Sequence, residues 1–154
     1  MRRELFADVI IDAAPEEVWR LVVDLPRWGE WNPVVRRVEG RLETGAMLAV
    51  TVVEGERQRR LQAECMRVLP ARELSWLRRW HAPGLLDSEE RLVIEEVEEG
   101  TRLLVRQRVS GILLPFLWPA LRRRLGRAGW QVARALKTAT EGGGERHPDR
   151  AHGC

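Results

Sequence analysis

The middle of the chain is a succession of short apolar runs that end at glycine or proline residues. Between residues 34 and 110, six runs with the alternating pattern of β-strands are separated at hairpin spacing by breaks such as Gly40, Gly55 and Gly100. The predicted strands are 34–40, 46–54, 58–69, 72–81, 86–97 and 101–110. Consecutive strands joined by short turns form a meander, so this stretch predicts one antiparallel sheet.

The residues before the meander predict one further strand and two helices. Residues 3–13 alternate apolar and polar side chains, which predicts a strand. Pro15 and the two glutamates after it are typical of a first helical turn. Residues 26–32 are bounded by prolines and predict a second, short helix, which carries Trp28 and Trp31.

The segment after Gly111 predicts one long helix with an apolar stripe. The stripe consists of Leu121, Leu125, Ala128, Val132 and Leu136, and Pro119 suits the first helical position. An apolar sheet face must be covered, and this helix is the only long element that can cover it. The sequence therefore predicts an α+β fold, in which a curved seven-stranded antiparallel sheet wraps around the C-terminal helix. Between them we expect an apolar cavity of at least the roughly 300 Å³ that is typical of ligand pockets.

Length and composition indicate one globular domain. The 154 residues are 44% apolar and 32% charged, and we expect the domain to span 1–140 with a disordered tail over 141–154. No apolar run approaches the roughly 20 residues of a membrane span, and no signal peptide is recognisable, so a cytoplasmic location is expected. The two cysteines, Cys65 and Cys154, do not predict a disulfide framework.

No metal, cofactor or nucleic-acid site is predicted. His81 is the only histidine before the tail, and we expect it at the surface. No second metal ligand lies at metal-site spacing from it. Neither a phosphate-binding loop nor a conventional catalytic set is present. Residues 111–154 carry a net charge of +5. We interpret this charge as a solvated helix face, with contact to an anionic surface as the alternative.

Glu90 is predicted to point into the cavity, because it shares a strand face with Leu92 and Ile94. A buried carboxylate either finds a donor or takes up a proton, so we expect a raised pKa unless a cation reaches it. Gln107 on the neighbouring strand and Arg78 are the candidate partners. Together these groups could anchor the polar part of a ligand, or they could form a structural hydrogen-bonded group.

The stretch from Ile112 to Trp118 is more apolar than one helix face requires, and Arg122 to Arg124 follow it closely. Apolar anchors beside basic residues are typical of an interfacial helix, which predicts weak peripheral contact with an anionic membrane. The alternative is that these apolar residues cap the core.

The residues expected to contact a ligand come from the short helix, three strands, the segment before the long helix and the first turns of that helix. They are Trp28, Trp31, Trp76, Arg78, Glu90, Leu92, Val105, Gln107, Val109, Phe116, Trp118, Leu121 and Leu125. For Trp28 and Trp31, simple packing in the core is the alternative.

Three segments carry a resemblance to a known family: IDAAPEEVWRLVVDLPRWGEWNPVV (11–35), LSWLRRWHAPGLLD (74–87), and RVSGILLPFLW with ARALK (108–118 and 133–137). Over nearly all of residues 5–140 the chain resembles the SRPBCC superfamily, and especially its small bacterial members of the polyketide cyclase/dehydrase type. The resemblance implies the helix-grip fold of START and birch-pollen-allergen proteins and a cavity for a hydrophobic small molecule or lipid. Family members often carry a histidine at the position of Glu90 and an acid at the position of Gln107, and this chain departs from both.

Three functional hypotheses remain open, because a fold does not determine a function. The first is a binding or carrier protein for a hydrophobic small molecule or lipid, present as a monomer or homodimer. The second is a cyclase/dehydratase-type enzyme in which Glu90 is the acid/base and Arg78 orients the substrate. The third is an interaction module of the co-chaperone kind that uses the basic helix. The missing catalytic set favours the first.

Overall fold

The computed structural model describes the backbone of residues 1–80 and 82–151, and the side chains in these ranges up to residue 142. Its strands are β1 (Arg2–Ile11), β2 (Val35–Glu39), β3 (Met47–Glu54), β4 (Arg57–Leu69), β5 (Glu73–Arg79), β6 (Asp87–Val97) and β7 (Gly100–Ser110). Its helices are α1 (Pro15–Val23), a 3-10 turn (Leu25–Arg27), α2 (Trp28–Trp31) and α3 (Leu114–Ala151). His81 and residues 152–154 lie outside the described residues, and of residues 143–151 only the backbone is described. Glu141 and Gly142 continue helix α3, and the disordered tail stays a prediction.

The seven strands form one antiparallel sheet in the order β1-β7-β6-β5-β4-β3-β2. The predicted fold class is confirmed, and every predicted strand lies within two residues of the observed one at each end. The register shifts between Val35 and Arg37 and between Cys65 and Arg67. An extra residue on one strand of a pair bends that strand, so these irregularities contribute to the curvature of the sheet.

The short helix predicted for 26–32 is a 3-10 turn followed by a single α-helical turn. The side-chain oxygen of Asn32 accepts hydrogen bonds from the backbone N–H groups of Val34 (2.9 Å) and Val35 (3.0 Å), which turns the chain into β2. Gly29 allows α2 to pack on that strand, because a Cβ atom at this position would lie 2.2 Å from the carbonyl oxygen of Arg36. The junction is therefore held by local contacts and has no room for a longer helix.

Helix α3 begins five residues earlier than predicted, at Leu114 and not at Pro119. Pro115 occupies the first turn, where its missing N–H is harmless, and Pro119 removes only one hydrogen bond from the second turn. The fully buried Leu114 packs with Leu86 and Val109 in a small apolar cluster. This burial anchors the earlier start of the helix.

The long helix packs mainly against β1 and β7, at one side of the sheet. Ala133 and Leu136 are completely buried in this contact. The helix comes close to β7 at Gly129, where an added Cβ atom would lie 3.4 Å from the side-chain oxygen of Gln107. Because α3 covers this side, the space between helix and sheet is left above β2 to β5. Among the described helices, none is both long and apolar enough to cross a membrane.

Candidate functional site

A cavity of about 100 Å³ lies between α3 and the inner face of β2 to β5. We call it the inner chamber. Its apolar walls come from the strands, for example Leu48, Val52 and Leu74, with Trp28 from α2 and Leu125 from α3. The chamber is smaller than the 300 Å³ that we expected, so the predicted size is wrong for this space.

A wider space of about 530 Å³, which we call the outer cleft, adjoins the inner chamber. The two spaces share the lining residues Val34, Val52, Arg78, Leu125 and Ala128. The cleft is bounded by the end of β3, the end of β5 and the first turns of α3. A ligand too large for the chamber could therefore extend into the cleft.

Polar groups enter the inner chamber from the three strands β5, β6 and β7. Glu90 lies opposite Trp76 on one neighbouring strand and opposite Gln107 on the other. Arg78 lies opposite Ser88, two residues away from Glu90 on the same face, so Arg78 and Glu90 are diagonal neighbours. All five side chains line the chamber, so the predicted proximity of Glu90, Gln107 and Arg78 is observed.

Burial raises the pKa of Glu90 from its ordinary value of 4.5 to about 7, and the positive charge of Arg78 opposes part of that rise. In the described part of the chain Arg78 forms no ion pair with Glu90, which explains why the opposing effect is the smaller one. The carboxyl group lines the chamber wall and Glu90 is only partly exposed, so its charged form is poorly hydrated. Glu90 is thus divided between its neutral and charged forms near neutral pH.

Arg78 stands at the boundary of chamber and cleft. Its guanidinium carbon lies 4.6 Å from the ring centre of Trp80, a cation–π contact. Its Nε is buried and has no hydrogen-bond partner within the described residues. Burial lowers the pKa of this guanidinium, and the negative charge of Glu90 partly restores it. Arginine stays protonated under such conditions, so the site retains a positive charge.

Of the two tryptophans of α2, only Trp28 reaches the inner chamber. Its ring is buried, its Nε1 donates a hydrogen bond to the carbonyl oxygen of Val22 (2.9 Å), and its centre lies 5.6 Å from that of Trp76. Trp31 packs against it at 5.5 Å but lines a separate surface depression beside Arg134. Trp28 therefore closes one end of the chamber, and Trp31 supports it from outside.

Several predicted site residues lie away from the inner chamber. Leu92 and Val105 are completely buried in the main core, and Val109 belongs to the small cluster around Leu114. Trp118 packs on that cluster, and Phe116 is 81% exposed on α3. The inward direction of the strand residues was correct, but α1 packs on β6 and α3 packs on β7, so no space is left there.

Two of the four predicted residues on the long helix line the spaces beside it. Leu121 lines the outer cleft, and Leu125 lines both the cleft and the chamber. Most of the apolar wall was missed by sequence reasoning. Leu48, Val50 and Val52 alternate along β3 and all line the chamber, so the signal was present in the sequence. The sequence pattern did not indicate which strands α3 would cover.

Within the described residues, no group of three histidine, cysteine, aspartate or glutamate side chains could hold a metal ion. Cys65 is free and buried beside the chamber wall, where it lies opposite Trp76, and burial raises the pKa of its thiol. A thiol of this kind is a weak nucleophile. The titratable group best placed to act on a bound molecule is therefore Glu90.

A protein-family model described as "Polyketide cyclase / dehydrase and lipid transport" matches residues 3–141. Comparison with curated protein sequences found no match. Among solved structures, the di-domain ARO/CYC StfQ from the steffimycin biosynthetic pathway is 14% identical, with a TM-score of 0.77. That similarity covers 94% of this chain and 52% of StfQ, so the chain spans about half of the di-domain protein.

Two further structures match over almost their whole length. The Zhui aromatase/cyclase from Streptomyces sp. R1128 is 15% identical, with a TM-score of 0.75, and the similarity covers 92% of this chain and 94% of that one. Ara h 8.0201 is 12% identical, with a TM-score of 0.72, and the similarity covers 92% and 99%. At these identities the similarity shows a shared fold, the helix grip.

Proposed function

The chain belongs to the polyketide cyclase/dehydrase and lipid transport family of the SRPBCC superfamily, and we propose that it binds and carries a hydrophobic small molecule or lipid. The observation that supports this proposal best is the apolar inner chamber, which adjoins a larger cleft at Val34, Val52, Arg78, Leu125 and Ala128. An apolar cavity with a few convergent polar groups is typical of ligand sites.

Native mass spectrometry of the freshly purified protein tests this proposal. We expect an additional bound mass that is lost on denaturation. Ala128→Phe should lower its occupancy several-fold, because the new ring would fill the passage between chamber and cleft. Ala135→Phe is the matched control, since Ala135 lies on the same helix and lines neither space. A protein that carries no bound mass and does not bind the neutral dye Nile red would contradict the proposal.

The second candidate is a cyclase/dehydratase-type enzyme in which Glu90 transfers a proton and Arg78 orients the substrate. The observation in its favour is the pKa of Glu90 near 7, since an acid/base residue works best when its pKa lies close to the working pH. If such an enzyme removes water from its substrate, the Glu90→Gln variant should retain the substrate and the original protein the dehydrated product. The molecule bound to the variant should then be heavier by the mass of one water. Identical bound masses in both proteins would favour the carrier.

Loading of the ligand at an anionic membrane is a further part of the proposal. Its support is the apolar surface at the beginning of α3, where Ile112 is 68% and Phe116 81% exposed. Arg122 and Arg123 are exposed two turns further along the helix. Apolar anchors beside basic residues favour weak binding to anionic bilayers.

A further inference from the structure

Positive charges outnumber negative charges in the lining of the outer cleft. Four arginines line it, Arg78 from β5 and Arg123, Arg124 and Arg127 from α3, against the single carboxylate of Glu54 from β3. Apolar side chains such as Val53, Leu121 and Leu125 form the rest of the wall. A cleft of this composition attracts anions and does so more strongly where apolar walls exclude water.

The one carboxylate is already neutralised within the protein. Glu54 forms ion pairs with Arg124 and with Arg59, the latter at 3.6 Å. In the described part of the chain, Arg123 and Arg127 have no ion-pair partner, and both are exposed. They lie one helical turn apart on the same face of α3, so two guanidinium groups remain free to meet one negative group.

Arg78 adds a third cation at the inner end of the cleft, and within the described residues it has no ion-pair partner. Its guanidinium packs on the ring of Trp80, and its buried Nε has no hydrogen-bond partner within the described residues. A buried donor without a partner is costly, and a bound acceptor would satisfy it. The cleft thus presents free donors both at its surface and at its boundary with the chamber.

The volumes of the two spaces determine how a ligand would divide between them. At about 100 Å³ the inner chamber is smaller than the roughly 150 Å³ cavity that holds benzene, so it accepts a narrow alkyl end but not a whole ligand. The remainder of the molecule must lie in the outer cleft, beside the arginines.

We infer that the ligand is an anionic amphiphile, whose apolar chain enters the inner chamber and whose carboxylate or phosphate group binds Arg123, Arg127 and Arg78 in the outer cleft. This inference rests on the proposed function and specifies its ligand class. Carboxylate and phosphate groups both accept paired hydrogen bonds from the N–H groups of a guanidinium. The arginines of the cleft supply such N–H groups.

Isothermal titration calorimetry with octanoate, octyl phosphate, 1-octanol and inorganic phosphate tests the inference. At low salt at least one of the two anionic amphiphiles should bind about tenfold more tightly than octanol, and added salt should reduce this difference. The head group with the higher affinity identifies which anion the cleft prefers. Inorganic phosphate alone should bind more weakly than octyl phosphate, because it leaves the chamber empty.

The double variant Arg123→Gln/Arg127→Gln should lose about tenfold in affinity for the anionic amphiphile and keep its affinity for octanol. Arg122→Gln is the matched control, because Arg122 is exposed on the same helix but does not line the cleft.

Equal binding of octanol and both anions would overturn the inference and leave the proposed function intact. Failure of all three octyl compounds to bind would overturn the inference, and the proposed function would then be decided by native mass spectrometry and Nile red binding. Binding of inorganic phosphate as tight as that of octyl phosphate would exclude an amphiphile.

Discussion

Glu90 on β6 lies directly opposite Trp76 on β5, so a carboxyl group with a pKa of about 7 shares the chamber wall with an indole ring. Side chains opposite each other in an antiparallel pair are in contact range. A neutral carboxyl group can pack there, whereas a charged one requires water or a cation. The protonation of Glu90 therefore sets the polarity of the inner chamber close to neutral pH.

The first prediction concerns stability and pH. The pKa of Glu90 in the folded protein, about 7, is above its ordinary value of 4.5. The folded state therefore holds this proton more tightly than the unfolded state, and the free energy of unfolding should fall as the pH rises from 4.5 to 7. At pH values above this range Glu90→Gln should be more stable than the original protein by about 3 kcal/mol.

Urea denaturation at a series of pH values measures this effect. Glu96→Gln is the control, because Glu96 lies on the same strand and is exposed, so it should leave the pH profile unchanged. A Glu90→Gln variant with the same pH dependence as the original protein would mean that Glu90 is solvated.

The second prediction concerns the charge of Arg78. Because its positive charge lowers the pKa of Glu90 against the effect of burial, Arg78→Gln should raise that pKa above its value of about 7. Carbon-13 NMR titration of the glutamate carboxyl groups measures the change. In the control, Arg79→Gln removes an exposed arginine that pairs with Glu64 on the outer face, and the pKa of Glu90 should not move. A downward shift in Arg78→Gln would contradict the electrostatic argument.

The third prediction separates the two tryptophans of α2. Trp28→Ala should lower the free energy of unfolding by about 3–5 kcal/mol, because it empties a buried position and leaves the carbonyl oxygen of Val22 without its donor. Trp31→Ala should have a smaller effect, since Trp31 is only partly buried. Thermal denaturation of both variants provides the comparison. Equal losses would show that the two rings act as one packing unit.

The fourth prediction concerns the apolar surface at the beginning of α3. Vesicles with anionic lipid should sediment the protein at low salt, and binding should fall as salt is added, because each basic residue near such a surface contributes about 1 kcal/mol. Phe116→Ala should reduce binding several-fold through the loss of an exposed ring. Phe6→Ala is the control, since Phe6 on β1 is also an exposed phenylalanine, although less so than Phe116. Equal sedimentation with neutral and anionic vesicles at low salt would remove the membrane from the proposal.

The sheet was predictable because its signals are local. Turn residues such as Gly40 and Gly100 have positive φ angles of 133° and 132°, a region that favours glycine, so the breaks in the sequence coincide with the observed turns. The beginning of α3 was not predictable in the same way. Pro119 has the local character of a helix start, and the burial of Leu114 against Leu86 and Val109 outweighs it.

The site was predictable in its polar part and not in its apolar part. Strand parity alone brings Glu90, Gln107 and Arg78 to one face, and these side chains do line the inner chamber. The walls depend on which half of the sheet the helix covers. Leu92 and Val105 face inward but lie on β6 and β7, which α1 and α3 cover, whereas Leu48 and Val52 face the open space. Long-range packing decides which inward-facing residues are covered by a helix and which line the cavity. The periodicity of the sequence does not predict this packing.

The pairing of β1 with β7 has a consequence for the order of folding during synthesis. Arg2 pairs with Ser110 and Ile11 with Thr101, so the first strand finds its partner only after nearly the whole sheet has been made. Contacts between residues so distant in sequence form late and slow the folding reaction. Until then β1 is an unpaired strand on the nascent chain, which exposes it to aggregation. Since α3 packs on both strands, the inner chamber comes into existence as one of the last events of folding, and the proposed ligand could enter only the finished protein.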